Sequence, residues 1–460
     1  MGGRPARGRH LLGAGVVARA TAARRCALAL LGERRRRDAR ARDLLRGSEA
    51  LSGLPERDRA FATRLVLGAT AAEDALDRAV DAHLRRGAHL EPRVRDALRL
   101  AAFELLYLGE RSDVAVSQGV ELVRGVAPRA AGLANAVLRR VAEGDAPALA
   151  AARERVASGS SDASDLALVG ALPEWLCERA LASLGPADAS AWAMGALGPA
   201  GAWVAANRAR LSLREAETLL AKAGCDPVAG PVAGSFLLGA PARLAPSGLV
   251  ERVDVLPCDL AAQEAALAAA PEPGSRVLEV GQGRGTKTVL LEGAAVAAGG
   301  PCEIVAVELG PRKSALAARR MEAAGVAEHV ACVAADGRAL GGDDLPDVLL
   351  GTFDLVFVDA PCTGTGTLAR HPEIAWSLES SAPEELAALQ GEILSAAAAR
   401  VAPGGRLVYA TCSVLAEEDE RVVDAFLSSA TGAGFELVAA SRTPVRPNTD
   451  THFHAELRRR

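Results

Sequence analysis

The stretch that decides the fold of this chain is residues 276–288, which read RVLEVGQGRGTKT. Its first five residues form a short, mainly apolar strand pattern, and glycines then stand at positions 281, 283 and 285 before a helical pattern begins. Glycine at such positions permits a tight turn and lets a ligand approach the backbone. A glycine-rich loop is by itself a weak signal, because a plain strand-to-helix turn and a dinucleotide-binding loop have the same form.

Further short apolar segments follow this strand and alternate with Ala-rich helical patterns. They occupy residues 304–307, 330–334, 355–358 and 406–410. The alternation predicts a parallel sheet with helices on both faces. Because such sheets bind ligands at the carboxyl ends of their strands, the residues that follow each strand are the candidates for function.

Carboxylates end three successive predicted strands, at Glu279, Glu308 and Asp336. One acid at a strand end is ordinary solvation, but three favour a nucleoside ligand, with Glu308 at the ribose hydroxyls and Asp336 at the adenine edge. The spacing GxGxG rather than GxGxxG favours S-adenosylmethionine, although these residues alone leave NAD open. The residues predicted to bind this cofactor are Glu279, Gly281, Gly283, Gly285, Lys287, Glu308, Arg312, Asp336, Gly337 and Asp359.

Two cysteines follow the fourth and fifth strands. Cys362 lies in the stretch DAPCTGTG that begins at Asp359, and Cys412 lies in YATCS, which begins at Tyr409. Since both loops open on the same edge of a parallel sheet, both thiols are predicted to face the cofactor pocket. Cysteines are most often buried and inert, but a glycine-rich turn is not a core position.

A pair of thiols suits methylation of carbon 5 of a cytosine. That carbon becomes nucleophilic enough to attack a methyl sulfonium only after a thiolate has added to carbon 6. A second group can then help to release the product. A nearby cation such as Lys287 would lower the pKa of the attacking thiol, so Lys287 is predicted to be catalytic together with Asp359, Cys362 and Cys412.

These residues also carry a resemblance to a known family. Residues 359–376 (DAPCTGTGTLARHPEIAW) and 410–413 (ATCS) resemble the fourth and sixth motifs of the RsmB/Sun (Fmu) family of bacterial ribosomal RNA cytosine-C5 methyltransferases, within the NOL/NOP2/Sun group. Residues 453–458 (FHAELR) resemble its last strand. In the front half, residues 57–68 and 114–140 resemble the NusB-type helical RNA-binding domain that these enzymes carry.

The resemblance implies a role for each catalytic candidate. Cys412 would be the nucleophile, Cys362 would help product release, and Asp359 would hydrogen-bond the cytosine near nitrogen 3. DNA cytosine-5 methyltransferases attack with the Pro-Cys thiol instead, so the presence of both cysteines favours RNA. The implied cofactor is S-adenosylmethionine, and the implied partner is small-subunit ribosomal RNA, naked or partly assembled.

The implied fold is multidomain. It combines an all-α NusB-like N-terminal domain, a small α+β middle domain and a C-terminal α/β Rossmann-like class I methyltransferase domain. Composition and periodicity place a helical domain at 15–148, a linker at 149–171, a small mixed domain at 172–250 and a domain of alternating strands and helices at 255–460. The resemblance implies that the last two are an RNA-recognition-like subdomain and the methyltransferase domain.

The cofactor loop departs from the family pattern. The family's first motif reads Asp-x-Cys-Ala-Ala-Pro-Gly-Gly-Lys-Thr, whereas residues 279–288 read EVGQGRGTKT. Lys287 and Thr288 are kept, and Glu308 stands where the family has Asp. We interpret the stretch as an alternative cofactor loop. Its altered form is the only support for a rival hypothesis, an inactive RNA-binding or antitermination-type factor; methylation of transfer RNA is a second rival and a dehydrogenase a distant third.

Several basic, aromatic and amide side chains suggest where RNA would bind. Arg370, His371 and Trp376 follow the fourth motif, and Arg139 and Arg140 end the NusB-like stretch. The run at 34–37 is all arginine, which is either a solvated helix face or an RNA contact. Asn207 and Arg208 are weaker candidates in the middle domain.

Bulk composition excludes several classes of protein. The eight cysteines show no CxxC spacing, so we expect neither a zinc site nor a disulfide framework. The net charge of −4 is an average that says little about a local basic patch. No apolar run has membrane-spanning length, and residues 11–18 are interpreted as a ragged terminus rather than a signal segment. We therefore expect a cytoplasmic protein without metal or membrane partners that acts as a monomer.

Overall fold

A computed structural model describes residues 19–39 and 41–460. The predicted ragged terminus at 11–18 and the first residues of the predicted helical domain, 15–18, lie outside the described residues. The chain divides into two compact units, one ending at Ala150 and the other covering Ala151–Arg460. Within the described ranges, no helix has both the length and the apolar character needed to cross a membrane.

The first unit is helical, as predicted. Its helix α6 shows why, because Val94, Leu98, Ala101 and Leu105 recur at helical spacing and are all buried. Pro92 at the first position of α6 fits a helix start, where no backbone N–H is needed. The helices are α1 (Ala22–Arg37), α2 (Ala41–Gly47), α3 (Glu49–Ser52), α4 (Glu56–Ala71), α5 (Glu73–Asp81), α6 (Pro92–Leu106), α7 (Ser112–Val126) and α8 (Ala131–Arg140), with a π-helical turn at Val141–Asp145.

The segment predicted as a linker, 149–171, is mostly helical. Helix α9 (Ala146–Ser158) crosses the boundary between the units, and α10 (Ala163–Gly170) follows it. The residues between them and Ala171 are non-helical, and Asp162 caps α10 by accepting from the Asp165 N–H. The Ser- and Asp-rich composition therefore marks a helix cap rather than an extended connection.

The middle region of the second unit contains a small antiparallel sheet in the order β2-β3-β1-β4. The strand predicted at 203–206 is confirmed, and the helix predicted at 213–223 ends one residue earlier. The elements are α11 (Glu174–Ala196, broken at Gly185), β1 (Trp203–Ala206), α12 (Leu213–Lys222), β2 (Pro227–Ala229), β3 (Ser235–Leu238) and β4 (Val255–Pro257).

The C-terminal region contains a seven-stranded sheet in the order β10-β11-β9-β8-β5-β6-β7. The five strands from β5 to β9 pair in parallel, and β10 and β11 are antiparallel additions at one edge. The elements are α13 (Leu260–Ala268), β5 (Arg276–Val280), α14 (Thr286–Ala298), β6 (Glu303–Glu308), α15 (Pro311–Ala324), β7 (Val330–Ala334), β8 (Phe353–Asp359), α16 (Ile374–Ser377), α17 (Ala382–Ala398), β9 (Val401–Thr411), α18 (Glu420–Leu427), β10 (Phe435–Arg442) and β11 (Phe453–Arg459).

Apolar cores cover both faces of this sheet. Val356 and Leu394 belong to one core with α17 and α18, whereas Phe357 and Val289 belong to the other with α14 and α15. The predicted Rossmann-like architecture is therefore confirmed. Its strand order reverses between β5 and β8, so the loops after these strands flank the switch point, where such sheets hold ligands.

Candidate active site

The loop after β5 is shaped by backbone conformations that favour glycine. Gly281, Gly283 and Gly285 have φ values of +92°, +58° and +73°, in a region that residues with side chains rarely adopt. At Gly281 a Cβ atom would also lie 2.2 Å from the carbonyl oxygen of Asp359. The loop therefore presents bare backbone at the sheet edge, as a close-fitting ligand cradle requires.

The carboxylate of Glu308 ties this loop to the one after β6. One oxygen accepts from the N–H of Gly283 at 3.0 Å and the other accepts from the N–H of Gly310 at 3.0 Å. Carboxylate oxygens have further lone pairs after such bonds. The predicted contact of Glu308 with the ribose hydroxyls is compatible with this geometry and stays a prediction.

The other outer candidates for cofactor binding have different settings. Asp336 accepts from the N–H of Arg338 at 2.9 Å and pairs with its guanidinium at 2.7 Å. Gly337 packs against β5, since a Cβ there would lie 2.9 Å from the Val280 side chain. Arg312 is exposed on the first turn of α15. Direct contact of these residues with the cofactor stays a prediction.

Glu279 differs from these residues because it is fully buried. Its Oε2 accepts from the Thr288 hydroxyl at 2.5 Å, which joins β5 to α14. Its Oε1 has no hydrogen-bond partner among the residues that the structure describes. Burial raises the pKa of Glu279 to about 8, against the effect of the Thr288 hydrogen bond. Glu279 therefore stabilises the loop through its buried hydrogen bond to α14.

Lys287 and Asp359 join the cofactor loop to the first thiol loop. The Nζ of Lys287, on α14, lies 2.6 Å from Oδ2 of Asp359, at the end of β8. Burial alone would lower the pKa of the Lys287 ammonium, but the charge and hydrogen bond of Asp359 outweigh it, and the pKa is raised. The structure thus brings together two of the predicted catalytic residues as an ion pair at the switch point.

The two predicted catalytic thiols are in contact. The Sγ atoms of Cys362 and Cys412 lie 3.2 Å apart, and the N–H of Cys412 points to Cys362 Sγ at 3.3 Å. The hydrogen bond to Cys412 and burial raise the pKa of the Cys362 thiol well above its ordinary value. The negative charge that Cys412 can carry also acts on Lys287 and helps to raise the pKa of that ammonium, which places the thiols and the ion pair in one electrostatic site.

A residue that the sequence analysis missed connects the two thiol loops. Glu418 is fully buried, and its carboxylate accepts hydrogen bonds from Thr363, next to Cys362, and from Ser413, next to Cys412. Glu418 follows the ATCS motif by five residues, so its position along the chain was the only available signal. Its partners are 55 and five residues away, which no local pattern reveals.

The candidates for RNA contact after the fourth motif are partly engaged within the protein. Arg370 donates to Gly201 O at 2.9 Å and pairs with Asp259 and with Asp450. Trp376 donates to Ala171 O at 3.0 Å. His371 is about half exposed. Arg370 therefore has an internal structural role, and RNA contact by Arg370 and His371 stays a prediction.

The middle-domain candidate Asn207 is fully buried, which corrects its assignment to RNA binding. Its side-chain amide donates to Val253 O and to Ala324 O, each at 2.9 Å. These bonds connect the small sheet to the end of α15. A buried amide with both donors satisfied has no group left on the surface to read RNA.

In the first unit, Arg139 and Arg140 are exposed at the end of α8, where Arg139 donates to Asn135 at 3.3 Å and Arg140 donates to His83 O at 3.4 Å, both long hydrogen bonds. Within the arginine run, three members pair with acids: Arg34 with Glu73, Arg35 with Asp96, and Arg37 with Glu33. The run is therefore a helix face whose arginines mostly form ion pairs within the protein. RNA binding by Arg139 and Arg140 stays a prediction.

No cluster of three or more His, Cys, Asp or Glu side chains suited to a metal ion occurs in the described part of the chain. The eight cysteines are free thiols.

Comparisons with protein families match both halves of the chain. Residues 266–454 match the family model described as 16S rRNA methyltransferase RsmB/F, and residues 21–143 match the NusB family. The chain is 35% identical to ribosomal RNA small subunit methyltransferase B of Thermus thermophilus over 85% of this chain and 84% of that protein. It is 34% identical to a putative methyltransferase of Mycobacterium tuberculosis over 95% of this chain and 96% of the relative.

Comparison with solved structures supports the fold. The crystal structure of PH0851 superposes with a TM-score of 0.71 at 21% identity, covering 95% of this chain and 98% of that one. At this level of identity the match concerns the fold alone.

Proposed function

We propose that this chain, which belongs to the RsmB/F family of rRNA methyltransferases, transfers a methyl group to carbon 5 of one cytosine in small-subunit ribosomal RNA through a covalent cysteine adduct. S-adenosylmethionine is the methyl donor, as for this class of methyltransferase. We further propose that the enzyme acts as a monomer in the cytoplasm. The observation that carries the proposal is the contact of two thiols, 3.2 Å apart, at the edge of the cofactor sheet.

The residues around the glycine loop fit the donor. The conformation of Gly281 and the carbonyl of Asp359 beside it leave room only for bare backbone, and Glu308 fixes the loop through the Gly283 N–H. We propose that Gly281, Gly283, Gly285, Glu308, Asp336 and Asp359 hold the donor. When bound, it supplies an electrophilic methyl group that an activated carbon 5 can accept.

We propose the following roles for the side chains at the thiol loops. The Cys412 thiolate forms a bond to carbon 6 of the cytosine, which opens the 5,6 double bond and places negative charge on the ring. Asp359 hydrogen-bonds the cytosine near nitrogen 3 and passes to that nitrogen the proton of its ion pair with Lys287, which neutralises this charge. Lys287 also holds Asp359 in place and favours the Cys412 thiolate. After methylation, the carbon 5 proton passes to solvent and nitrogen 3 returns its proton to the Lys287–Asp359 pair. The 5,6 double bond re-forms as the bond between carbon 6 and sulfur breaks, and Cys362 assists this release by donating its proton to the departing Cys412 sulfur.

The target base must leave its stack before it can reach the thiols, because an enzyme cannot attack carbon 6 inside a helix. Unpaired or flipped cytosines are recognised by shape, stacking and phosphate contacts. The two-unit organisation suits this task, since a NusB-like helical unit can bind neighbouring RNA while the methyltransferase unit acts on the base.

The experiment that tests the proposal is methyl transfer from radiolabelled S-adenosylmethionine to unmodified small-subunit ribosomal RNA, followed by nucleoside analysis. We expect label in 5-methylcytosine with the wild type and none with Cys412→Ala. With Cys362→Ala we expect a covalent protein–RNA adduct that survives denaturing electrophoresis. Cys26→Ala, in the first unit, is the matched control and should leave both readouts unchanged.

Two outcomes would replace parts of the proposal. Label in transfer RNA but not in ribosomal RNA would keep the chemistry and change the substrate. Absence of label on any RNA together with absence of cofactor binding would mean that the glycine loop no longer serves the donor, and the protein would then be an RNA-binding factor.

A further inference from the structure

The side chain of Glu418 bonds to the residue that follows each catalytic thiol. Its Oε1 accepts from the N–H of Thr363 at 2.8 Å and from Gln390 Nε2 at 3.1 Å. Its Oε2 accepts from the Ser413 hydroxyl at 2.6 Å and from the Thr363 hydroxyl. One carboxylate therefore joins the loop of Cys362 to the loop of Cys412.

The support for this carboxylate comes from neutral donors. No Lys or Arg side chain in the described part of the chain lies within ion-pair distance of Glu418. Burial raises the pKa of the Glu418 carboxyl, and the hydrogen bonds from Ser413, Thr363 and Gln390 act in the opposite direction. A buried carboxylate that binds only neutral groups is costly to maintain, which indicates a specific need for it at this place.

Neighbouring bonds extend the connection to the rest of the first thiol loop. Gln390 Nε2 also donates to Pro361 O at 2.9 Å. The Tyr409 hydroxyl lies 3.0 Å from Gln390 Oε1 and 2.6 Å from Glu418 O. The backbone on both sides of Cys362 is thereby tied to β9, the strand that carries Cys412.

The charge of Glu418 also acts on the Cys362 thiol. After the hydrogen bond to Cys412, burial and the charge of Cys412, the negative charge of Glu418 is a further cause of the raised pKa of Cys362. The charge of Cys412 is in turn one of the causes of the raised pKa of Lys287. The anion near Cys362 favours the protonated form of that thiol.

We propose that Glu418 is a positioning residue for methyl transfer, which holds the two thiol loops in contact and keeps Cys362 protonated while Cys412 is free to act as the thiolate. This inference rests on the proposed function for its link to catalysis. Its effect on the thiols themselves can be measured without RNA, so the two proposals can fail separately.

The test measures alkylation of the two cysteines by iodoacetamide between pH 6 and 10, read by peptide mass spectrometry, in the wild-type chain. In Glu418→Gln we expect Cys362 to react about tenfold faster near pH 8, because removal of a nearby negative charge lowers the pKa of this thiol. Glu418→Asp keeps the charge and should retain more of the wild-type pH profile. Glu417→Gln is the matched control, because Glu417 pairs with Arg179 and Arg421 and not with the thiol loops.

The second readout is single-turnover methyl transfer. We expect Glu418→Gln to lower the rate constant about 30-fold, which corresponds to an activation free energy higher by about 2 kcal/mol. Cofactor affinity should be unchanged, and Glu418→Asp should recover part of the lost rate. Thr363→Val removes one of the hydroxyl donors and should change both readouts in the same direction, to a smaller extent. It serves as the decisive variant if Glu418→Gln does not fold.

Unchanged alkylation profiles and methylation rates in Glu418→Gln or Thr363→Val would overturn the inference. Equal losses in Glu418→Asp and Glu418→Gln, with cofactor affinity falling in parallel, would show a role in folding alone. If the wild type methylates no RNA but the alkylation profiles differ as expected, the proposed function fails while the positioning of the thiols stands.

Discussion

The cofactor loop and the thiol loops lie at the same edge of one sheet, but they are held in different ways. The cofactor loop owes its shape to backbone conformation at Gly281, Gly283 and Gly285, with Glu308 as its side-chain support. The thiol loops owe theirs to buried side-chain hydrogen bonds that converge on Glu418. A loop whose shape depends on backbone conformation tolerates sequence changes as long as glycines occupy the positions with positive φ. A loop whose shape depends on side-chain hydrogen bonds requires each of the bonding residues.

This difference explains where the chain keeps the family pattern and where it departs from it. The departures lie in the cofactor loop at residues 279–286 and at Glu308, while Asp359 to Thr365 and Ala410 to Ser413 keep the pattern. Two of the residues kept in the altered stretch, Lys287 and Thr288, have side chains that bond to Asp359 and Glu279. These side-chain contacts are kept although the sequence of the loop before them differs.

The largest effect is expected from substitution within the cofactor loop. Gly281→Ala places a Cβ atom 2.2 Å from the Asp359 carbonyl at a φ of +92°, and we expect cofactor affinity to fall at least about 100-fold, near 3 kcal/mol. In Gly283→Ala the nearest atom would be 3.9 Å away, and only the backbone strain of about 1 kcal/mol remains. Isothermal titration calorimetry, with circular dichroism as a check of folding, measures both.

Equal losses of cofactor affinity in Gly283→Ala and Gly281→Ala would show that the close contact between Gly281 and the Asp359 carbonyl does not affect cofactor binding. The shape of the cofactor loop would then depend on the positive φ values of its glycines alone.

The next effect concerns the link between the two loops. Lys287→Met leaves Asp359 without its cation, and we expect the single-turnover methylation rate to fall about 30-fold. Because the ion pair also supports Asp359, combining Lys287→Met with Asp359→Asn should cost less than the sum of the two single changes. Lys222→Met is the control, since Lys222 is an exposed residue at the end of α12 and belongs to neither loop. Strict additivity would show that the two loops act independently.

A smaller effect concerns stability. The pKa of buried Glu279 is about 8 against an ordinary 4.5, so the folded state retains a proton that the unfolded chain releases. The stabilising contribution is complete below pH 4.5 and is lost as the pH rises to about 8. We expect Glu279→Gln to reduce this decline in the free energy of unfolding by about 2 kcal/mol, measured by urea denaturation from pH 5 to 8.

Asp419 changes the free energy of unfolding with pH in the same direction as Glu279, because burial raises the pKa of Asp419 to about 8 against the effect of Arg442 and Thr411. Part of the decline should therefore persist in Glu279→Gln. Glu436→Gln, at an exposed position on β10, should follow the wild type. A wild-type stability that stays constant over this range would contradict the buried, protonated state of Glu279.

The sequence predicted the parallel sheet well because buried strands are short apolar runs. The segments at 276–280 and 330–334 match β5 and β7 in full. The start of β9 escaped prediction because Pro403 and Gly404 indicate a turn, although Val401 pairs with Phe353 across an irregularity in the register. Strand β10 escaped because it is exposed on nearly all positions and shows no alternation.

The candidate site was predicted where function depends on position after a strand, and missed where it depends on distant partners. Asp359, Lys287, Cys362 and Cys412 meet as expected. The ion pairs of Arg370 with Asp259 and Asp450, and the bonds of Glu418, join residues that are far apart in sequence. The sequence does not show which acidic side chain forms an ion pair with which basic one, so a basic residue near a motif is easily interpreted as an RNA contact.

The smallest effect separates arginines of the first unit that have an ion pair among the described residues from those that have none there. Arg35 pairs with Asp96, which is nearly buried. Arg36 instead lines a cavity of about 700 Å³ together with four other arginines: Arg19, Arg25, Arg93 and Arg124. We expect Arg36→Ala to weaken RNA binding about two- to threefold and to reduce the slope of log K against log salt concentration by about one. Fluorescence anisotropy at several salt concentrations measures both quantities.

Arg35→Ala should act on stability instead, because it leaves the carboxylate of Asp96 without this partner, at a cost of about 1–3 kcal/mol. Its RNA affinity should stay near that of the wild type. If Arg35→Ala and Arg36→Ala weakened RNA binding equally and with the same change in salt slope, the ion pair with Asp96 would open on binding. Local pairing in the free protein would then not distinguish structural arginines from those that contact RNA.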